Sequence, residues 1–223
     1  MTDYYSKKLS AERLKLCYKL APPRVQQYFE AEINTVSKRI NPSDVVLELG
    51  CGYGRVLEKL LPRTKNLFGI DVSYESLLYG TNEFLPSTDC LLMVMDGIAL
   101  GFKDDKFDFV FCIQNGISAF DVNPKSLIKE ALRVTKPGGR LLFSSYSHKF
   151  WNDRLKWFEL QAKHGLIGEI DDDLTGNGMI VCKDGFRATT FSQTDFEMLT
   201  SNLEHDVNIF EVDDSAFFCE IIA

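Results

Sequence analysis

Residues 45–57 read VVLELGCGYGRVL, an apolar and partly β-branched run that breaks into Gly50, Gly52 and Gly54 and then resumes a helix-like pattern. Glycine at such a strand-to-helix turn permits positive φ and lets a ligand approach the backbone. The helix behind it aims free N–H groups at that ligand. A tight turn with no ligand accounts less well for three alternate glycines. A nucleoside triphosphate loop would need Gly-Lys-Ser/Thr close behind the first glycine, and none is present. The dinucleotide fingerprint would place its third glycine where Arg55 stands, and a bulky side chain there would crowd helix–strand packing. The spacing G-x-G-x-G behind Glu48 fits a loop curled around the amino-acid end of a nucleoside.

Working outward, strand-like runs alternate with helix-like segments, the pattern of a parallel sheet covered on both faces. NLFGI (66–70) ends at Asp71, LLMVM (91–95) at Asp96 and FDFVFCI (107–113) at Gln114. Ser73 is placed to cap a helix through about Phe84, and Pro124 to open one through Val134. Lys136-Pro137-Gly138-Gly139 reads as a turn before a strand over 140–145. The runs are apolar rather than alternating, as expected of strands covered on both sides. Their polar carboxyl ends mark the edge where open α/β sheets bind ligands. Beyond residue 178, Lys183-Asp184-Gly185 reads as a hairpin turn, Ser192 with Asp195 as a weak capping box, and 207–212 with 216–222 as a terminal antiparallel pair.

The 223 residues favour one domain, divided as an N-terminal helical cap (1–40), a cofactor-binding core (41–147), a substrate-side insertion with hairpin (148–190) and a C-terminal helix with strand pair (191–223). A net charge of −7 argues against broad nucleic-acid binding. The N-terminal stretch lacks the long apolar core of a signal peptide or membrane span. Six scattered cysteines without a CxxC pair suggest reduced thiols and a cytoplasmic protein. Three histidines without ligand spacing give no metal site, and the acidic cluster Glu169, Asp171, Asp172, Asp173 reads as a solvated loop.

The motifs ELGCGYG (48–54), GIDVS (69–73), MDG (95–97), FDFVFCIQN (107–115) and VTKPGGRLLFSS (134–145) resemble, in order, those of the class I methyltransferases that use S-adenosylmethionine. That resemblance covers roughly residues 40–150. It implies a Rossmann-like, doubly wound α/β fold with a seven-stranded, mostly parallel sheet and a C-terminal antiparallel pair. It implies S-adenosylmethionine as cofactor and S-adenosylhomocysteine as product. The glycine loop (Gly50, Cys51, Gly52, Gly54, with Arg55 behind it) would cradle the methionine end. Asp71, with Val72 beside it, would grip the ribose, where a strand-end carboxylate can accept from two hydroxyls. Asp96 would accept from the adenine amine, Gly97 and Ile98 would offer backbone groups, and Glu48 and the Gln114 carbonyl would face the cofactor's amino group.

Methyl transfer from a sulfonium needs chiefly alignment, an effect worth roughly 7–11 kcal/mol, so no triad is required. A base is needed only if the acceptor must lose a proton, and His148 after the fifth strand is the candidate. Tyr146 is a second. The fourth strand lacks the Asn/Asp-Pro-Pro-aromatic signature that resembles enzymes methylating nucleobases and protein glutamine, which lowers the case for those substrates. Tyr4, Tyr5, Tyr18 and Tyr28 could close over the cofactor as a lid, and Phe150, Trp151, Trp157 and Phe158 could shape an apolar acceptor pocket or pack a helix. The expected activity is methylation of a small molecule, with O-, N- and C-acceptors all open. The alternatives are a non-catalytic cofactor-binding sensor or partner subunit and, less favoured because of Arg55, an NAD-dependent oxidoreductase.

Overall fold

The computed structural model describes Tyr4 and residues 8–223; Tyr5 lies outside the described residues. The fully buried strand β1 (Val46–Leu49) pairs in parallel with β2 (Leu67–Asp71) on one side and β4 (Phe107–Cys112) on the other. The strands β3 (Leu91–Val94) and β5 (Thr135–Tyr146) extend the parallel sheet outward. The two C-terminal strands β8 (Asp206–Val212) and β9 (Ala216–Ile222) complete a seven-stranded sheet of order β3-β2-β1-β4-β5-β9-β8. Because β9 is antiparallel to both β5 and β8, it alone runs against the rest. The strands β6 (Ile180–Val181) and β7 (Arg187–Ala188) form a separate hairpin. The Rossmann-like, doubly wound expectation therefore holds.

Alternation along each strand sends side chains to two cores. Val46, Phe109, Phe111 and Phe218 join one face. The helices against it are α1 (Ala11–Lys19), α2 (Pro23–Ser37), α3 (Arg55–Leu60) and α7 (Trp151–Lys163). Leu47, Leu49, Val110 and Phe143 join the other, against α6 (Pro124–Val134) and α8 (Gln193–Thr200). Each fully buried side chain of this size contributes about 1.5–3 kcal/mol. Glu48 shares the pleat of Val46 and so points toward the first face, among helices that could cover a ligand.

Three expectations need correction. The Lys136–Gly139 turn lies inside β5, whose pairing with β4 jumps from Phe107↔Thr135 to Phe109↔Arg140; the extra residues are taken up as an irregularity in one continuous strand. The helix capped by Ser73 is α4 (Tyr74–Tyr79), and from Gly80 to Phe84 it widens into a π turn. A Cβ on Gly80 would stand 2.7 Å from the Tyr53 carbonyl oxygen, so glycine there lets the glycine loop pack against this turn. Finally, β3 is not covered on both faces: Leu91 is 53% and Val94 55% exposed, because β3 is the sheet edge.

Candidate active site

The turn after β1 is held to β2 by two amides: Gly50 N–H and Cys51 N–H both donate to the Ile70 carbonyl (2.8 and 2.9 Å). Gly50, Gly52 and Gly54 adopt φ of 73°, 55° and 83°, the left-handed region that side-chain-bearing residues seldom enter. Arg55 does not crowd the turn. The close helix–strand approach is supplied from the other side by Gly69 on β2, where a Cβ would meet Leu57 Cδ1 at 2.6 Å and Cys51 Sγ at 2.7 Å. The Arg55 guanidinium reaches across instead. Its carbon lies 4.0 Å from the Tyr18 ring centroid of α1 and 4.7 Å from that of Phe29 in α2, and Nη2 donates to Gln114 Oε1 at 2.6 Å.

Asp71, at the tip of β2, accepts from Gly52 N–H through Oδ2 (2.9 Å) and from Ser73 N–H through Oδ1 (2.8 Å). These bonds fix a carboxylate with lone pairs to spare. Burial raises its pKa, and the amide bonds from Ser73, Gly52 and Val72 oppose that rise. Asp96 accepts from Ile98 N–H at 3.1 Å, closing its own turn. Glu48 is buried; burial lifts its pKa to about 8, Arg55 opposing and the Asp71 charge adding. Its Oε2 has no hydrogen-bond partner among the described residues. A buried carboxylate oxygen without a partner costs stability and suits an incoming cation.

At the end of β4 two non-glycine residues, Gln114 and Asn115, hold left-handed φ of 57° and 61°. Such strain persists where surroundings enforce it. Here Gln114 N–H donates to Ser144 Oγ (2.9 Å), and the Ser144 hydroxyl donates to Glu32 Oε1 (2.5 Å). Asn115 is pinned by Ser145 Oγ–H on its Oδ1 (2.6 Å) and by its own Nδ2 on the Thr189 carbonyl (2.8 Å). Glu32 was not foreseen in the sequence. It is fully buried, and burial lifts its pKa to about 8 against the opposing Ser144 bond. Its signal was there: it falls on the inward stripe of α2 with Val25, Tyr28, Phe29 and Val36.

These elements enclose one cavity of about 470 Å³. Of the residues expected at a cofactor site, Glu48, Gly50, Cys51, Gly52, Arg55, Asp71, Val72, Asp96 and Gln114 line it. Gly54, Gly97 and Ile98 do not line it, and the Ile98 side chain is exposed. Gly54 makes room for Leu85, and Gly97 for the Phe120 ring, which a Cβ would meet at 2.5 Å. His148 is not brought to the cavity. It is exposed, in a short turn (His148–Phe150) after β5, and stacks at 6.3 Å on Phe217, whose side chain belongs to the opposite core. The same cavity continues past Gln114 to Tyr146, Trp157, Phe158, Gln161, Phe186 and Ala188. Leu14, Cys17 and Tyr18 of α1 roof it, with Trp157 Nε1–H donating to the Cys17 carbonyl (2.9 Å) and Ala11 N–H to Ser76 Oγ (3.0 Å).

Residues 46–139 match the family described as "Methyltransferase domain". That stretch of the chain is a methyltransferase domain by this match. It is 31% identical over 144 residues to the 2-methyl-6-phytyl-1,4-hydroquinone methyltransferase of Synechocystis, covering 60% of this chain and 42% of that one. It is 32% identical over 129 residues to the malonyl-[acyl-carrier protein] O-methyltransferase of a Marinomonas species, covering 56% and 46%. The chain thus spans about half the length of the curated relatives it matches. In fold it is similar to a solved protein of Pyrococcus horikoshii, with a TM-score of 0.65, 21% identity and coverage of 91% and 92%. The cofactor of such a domain is S-adenosylmethionine. The residues present fit it: a Cβ-free turn in the left-handed conformation, an anchored carboxylate at the tip of β2, and an unpartnered buried carboxylate oxygen at Glu48.

Proposed function

We propose that the protein transfers the methyl group of S-adenosylmethionine to a small-molecule acceptor. One observation carries this reading: a single cavity runs from the glycine loop, Asp71 and Asp96 to the aromatic wall of Trp157, Phe158 and Phe186. Donor and acceptor would lie side by side there, and holding the two in line is most of what this chemistry demands. Asp71 would hold the ribose, Asp96 the adenine amine, and Glu48 the ammonium, with the Gln114 carbonyl beside it. Residues 1–40 would act as a cap, α1 closing the roof. The deep, mostly apolar pocket supports a small acceptor over a polymer, as does a relative whose name specifies a hydroquinone methyltransferase. Six free cysteines support a reducing, cytoplasmic setting. Among the described residues no helix is long and apolar enough to cross a membrane.

The test is turnover. The protein is incubated with S-adenosylmethionine labelled in its methyl group and a metabolite panel, and S-adenosylhomocysteine release is followed together with the mass of the labelled product. Enzyme-dependent product with equal S-adenosylhomocysteine supports the reading. Tight cofactor binding with no turnover across the panel would instead favour a cofactor-binding sensor.

A further inference from the structure

The inward face of α7 is the stripe Arg154, Trp157, Phe158 and Gln161, at helical spacing i, i+3, i+4, i+7. Two polar residues therefore flank the aromatic pair, both fully withdrawn from bulk water. They are treated differently. The Arg154 guanidinium is committed to the protein: Nη1 donates to the Gly178 carbonyl (2.8 Å), Nη2 to the Ala188 carbonyl (2.9 Å), and its carbon lies 4.4 Å from the Tyr146 ring centroid. It ties the hairpin that carries Ala188 to the helix and so shapes the wall. Gln161 is 3% exposed, lines the cavity, and its amide nitrogen has no hydrogen-bond partner among the described residues.

An amide nitrogen buried without a partner is destabilising, and a helix core has no use for it when leucine or methionine would fill the same space. The cost is recovered if a ligand accepts the bond. The surroundings define that ligand. Trp157, Phe158, Phe186 and Tyr146 offer ring faces and edges, and Ile113 and Ala188 add apolar surface. The Arg154 guanidinium is turned to the Gly178 and Ala188 carbonyls and does not line the cavity, so the aromatic end presents no charged side chain of α7 and suits a neutral molecule.

We propose that this end of the cavity binds a neutral, ring-sized acceptor bearing an oxygen, and that Gln161 selects it by donating an amide N–H to that oxygen. The inference rests on the methyltransferase reading, since it assigns the acceptor half of the same cavity. In a largely apolar wall one well-made bond discriminates strongly against an analogue that leaves the donor unpaired.

The test uses the full chain saturated with S-adenosylhomocysteine, with 1-naphthol and naphthalene as probes and dissociation constants from ligand-observed NMR. The wild type is expected to bind 1-naphthol about tenfold tighter than naphthalene, the worth of one hydrogen bond to a buried donor. In Gln161→Leu and in the closer-sized Gln161→Met the preference disappears and naphthalene binds as well as before or better. Calorimetry with S-adenosylhomocysteine, run on each variant, separates the two readings: failure there removes the cofactor site, whereas normal cofactor binding with the wrong probe behaviour removes only the Gln161 assignment. A naphthol preference that survives both substitutions overturns the proposal, as does binding of neither probe to cofactor-loaded wild type.

Discussion

If Glu48 faces the cofactor's ammonium, cofactor binding must release a proton. Burial holds the Glu48 pKa at about 8 in the free protein, so at pH 7 the group is mostly protonated. A cation beside the carboxyl favours the charged form, so binding carries the cost of ionising Glu48, and that cost shrinks as pH rises toward 8. With a pKa of about 8 the ionised fraction is about 1/11 at pH 7 and about 1/100 at pH 6. Affinity for S-adenosylmethionine should therefore rise about ninefold from pH 6 to pH 7, a range in which the ligand's α-amine stays charged. Close to one proton should be released per site at pH 7. The assay is isothermal titration in buffers of different ionisation enthalpy, whose slope counts the protons. In Glu48→Gln the proton count should fall toward zero and the pH slope should flatten. Equal proton release by wild type and Glu48→Gln, or affinity that falls as pH rises from 6 to 7, would refute the assignment.

Asp71→Ala should weaken cofactor affinity by about tenfold or more, since charge-assisted hydrogen bonds are worth about 1.5–3 kcal/mol each; unchanged calorimetric affinity would remove Asp71 from the site. Deleting residues 1–20 removes α1 with its Leu14, Cys17 and Tyr18 roof and leaves Trp157 Nε1 without its Cys17 acceptor. Cofactor affinity should drop markedly, and an intact dissociation constant would dismiss the lid. Glu32 and Glu48 both carry pKa values raised to about 8 from 4.5, so the folded state holds protons the unfolded state has lost. Their contribution to stability is complete below about pH 4.5 and is lost as pH rises through about 8. Wild type without cofactor should lose more melting temperature between pH 6 and 9 than Glu32→Gln does, and parallel curves would contradict the Glu32 shift.

The sheet was legible because its strands are short apolar runs ending in polar residues, and because a strand tip must carry the ligand groups in this fold. Asp71 and Asp96 could be placed from that rule alone. What the sequence concealed was contact between distant segments. Arg55 reads as an obstacle beside Gly54, yet Gly69 supplies the packing room and Tyr18 and Phe29 receive the guanidinium. His148 follows the right strand, but the chain turns at Ser147 and sends the imidazole to the Phe217 side of the sheet. The Lys136–Gly139 stretch has turn composition, yet pairing with β4 resumes in a shifted register and keeps it within β5. Glu32 and Gln161 sit on helix faces that composition reads as core. Only the three-dimensional structure shows that Glu32 is engaged by Ser144 through Oε1, and that its Oε2, like the Gln161 amide nitrogen, has no hydrogen-bond partner among the described residues.

The most direct test of the whole account is a crystal structure of the protein grown with S-adenosylhomocysteine. The ribose hydroxyls are expected on Asp71, the adenine amine on Asp96, and the amino-acid end over Gly50–Gly52 beside Glu48, with the sulfur facing Trp157 and Phe158. An empty cavity at saturating S-adenosylhomocysteine, or selective occupancy by a pyrophosphate-bearing nucleotide such as NAD, would contradict it.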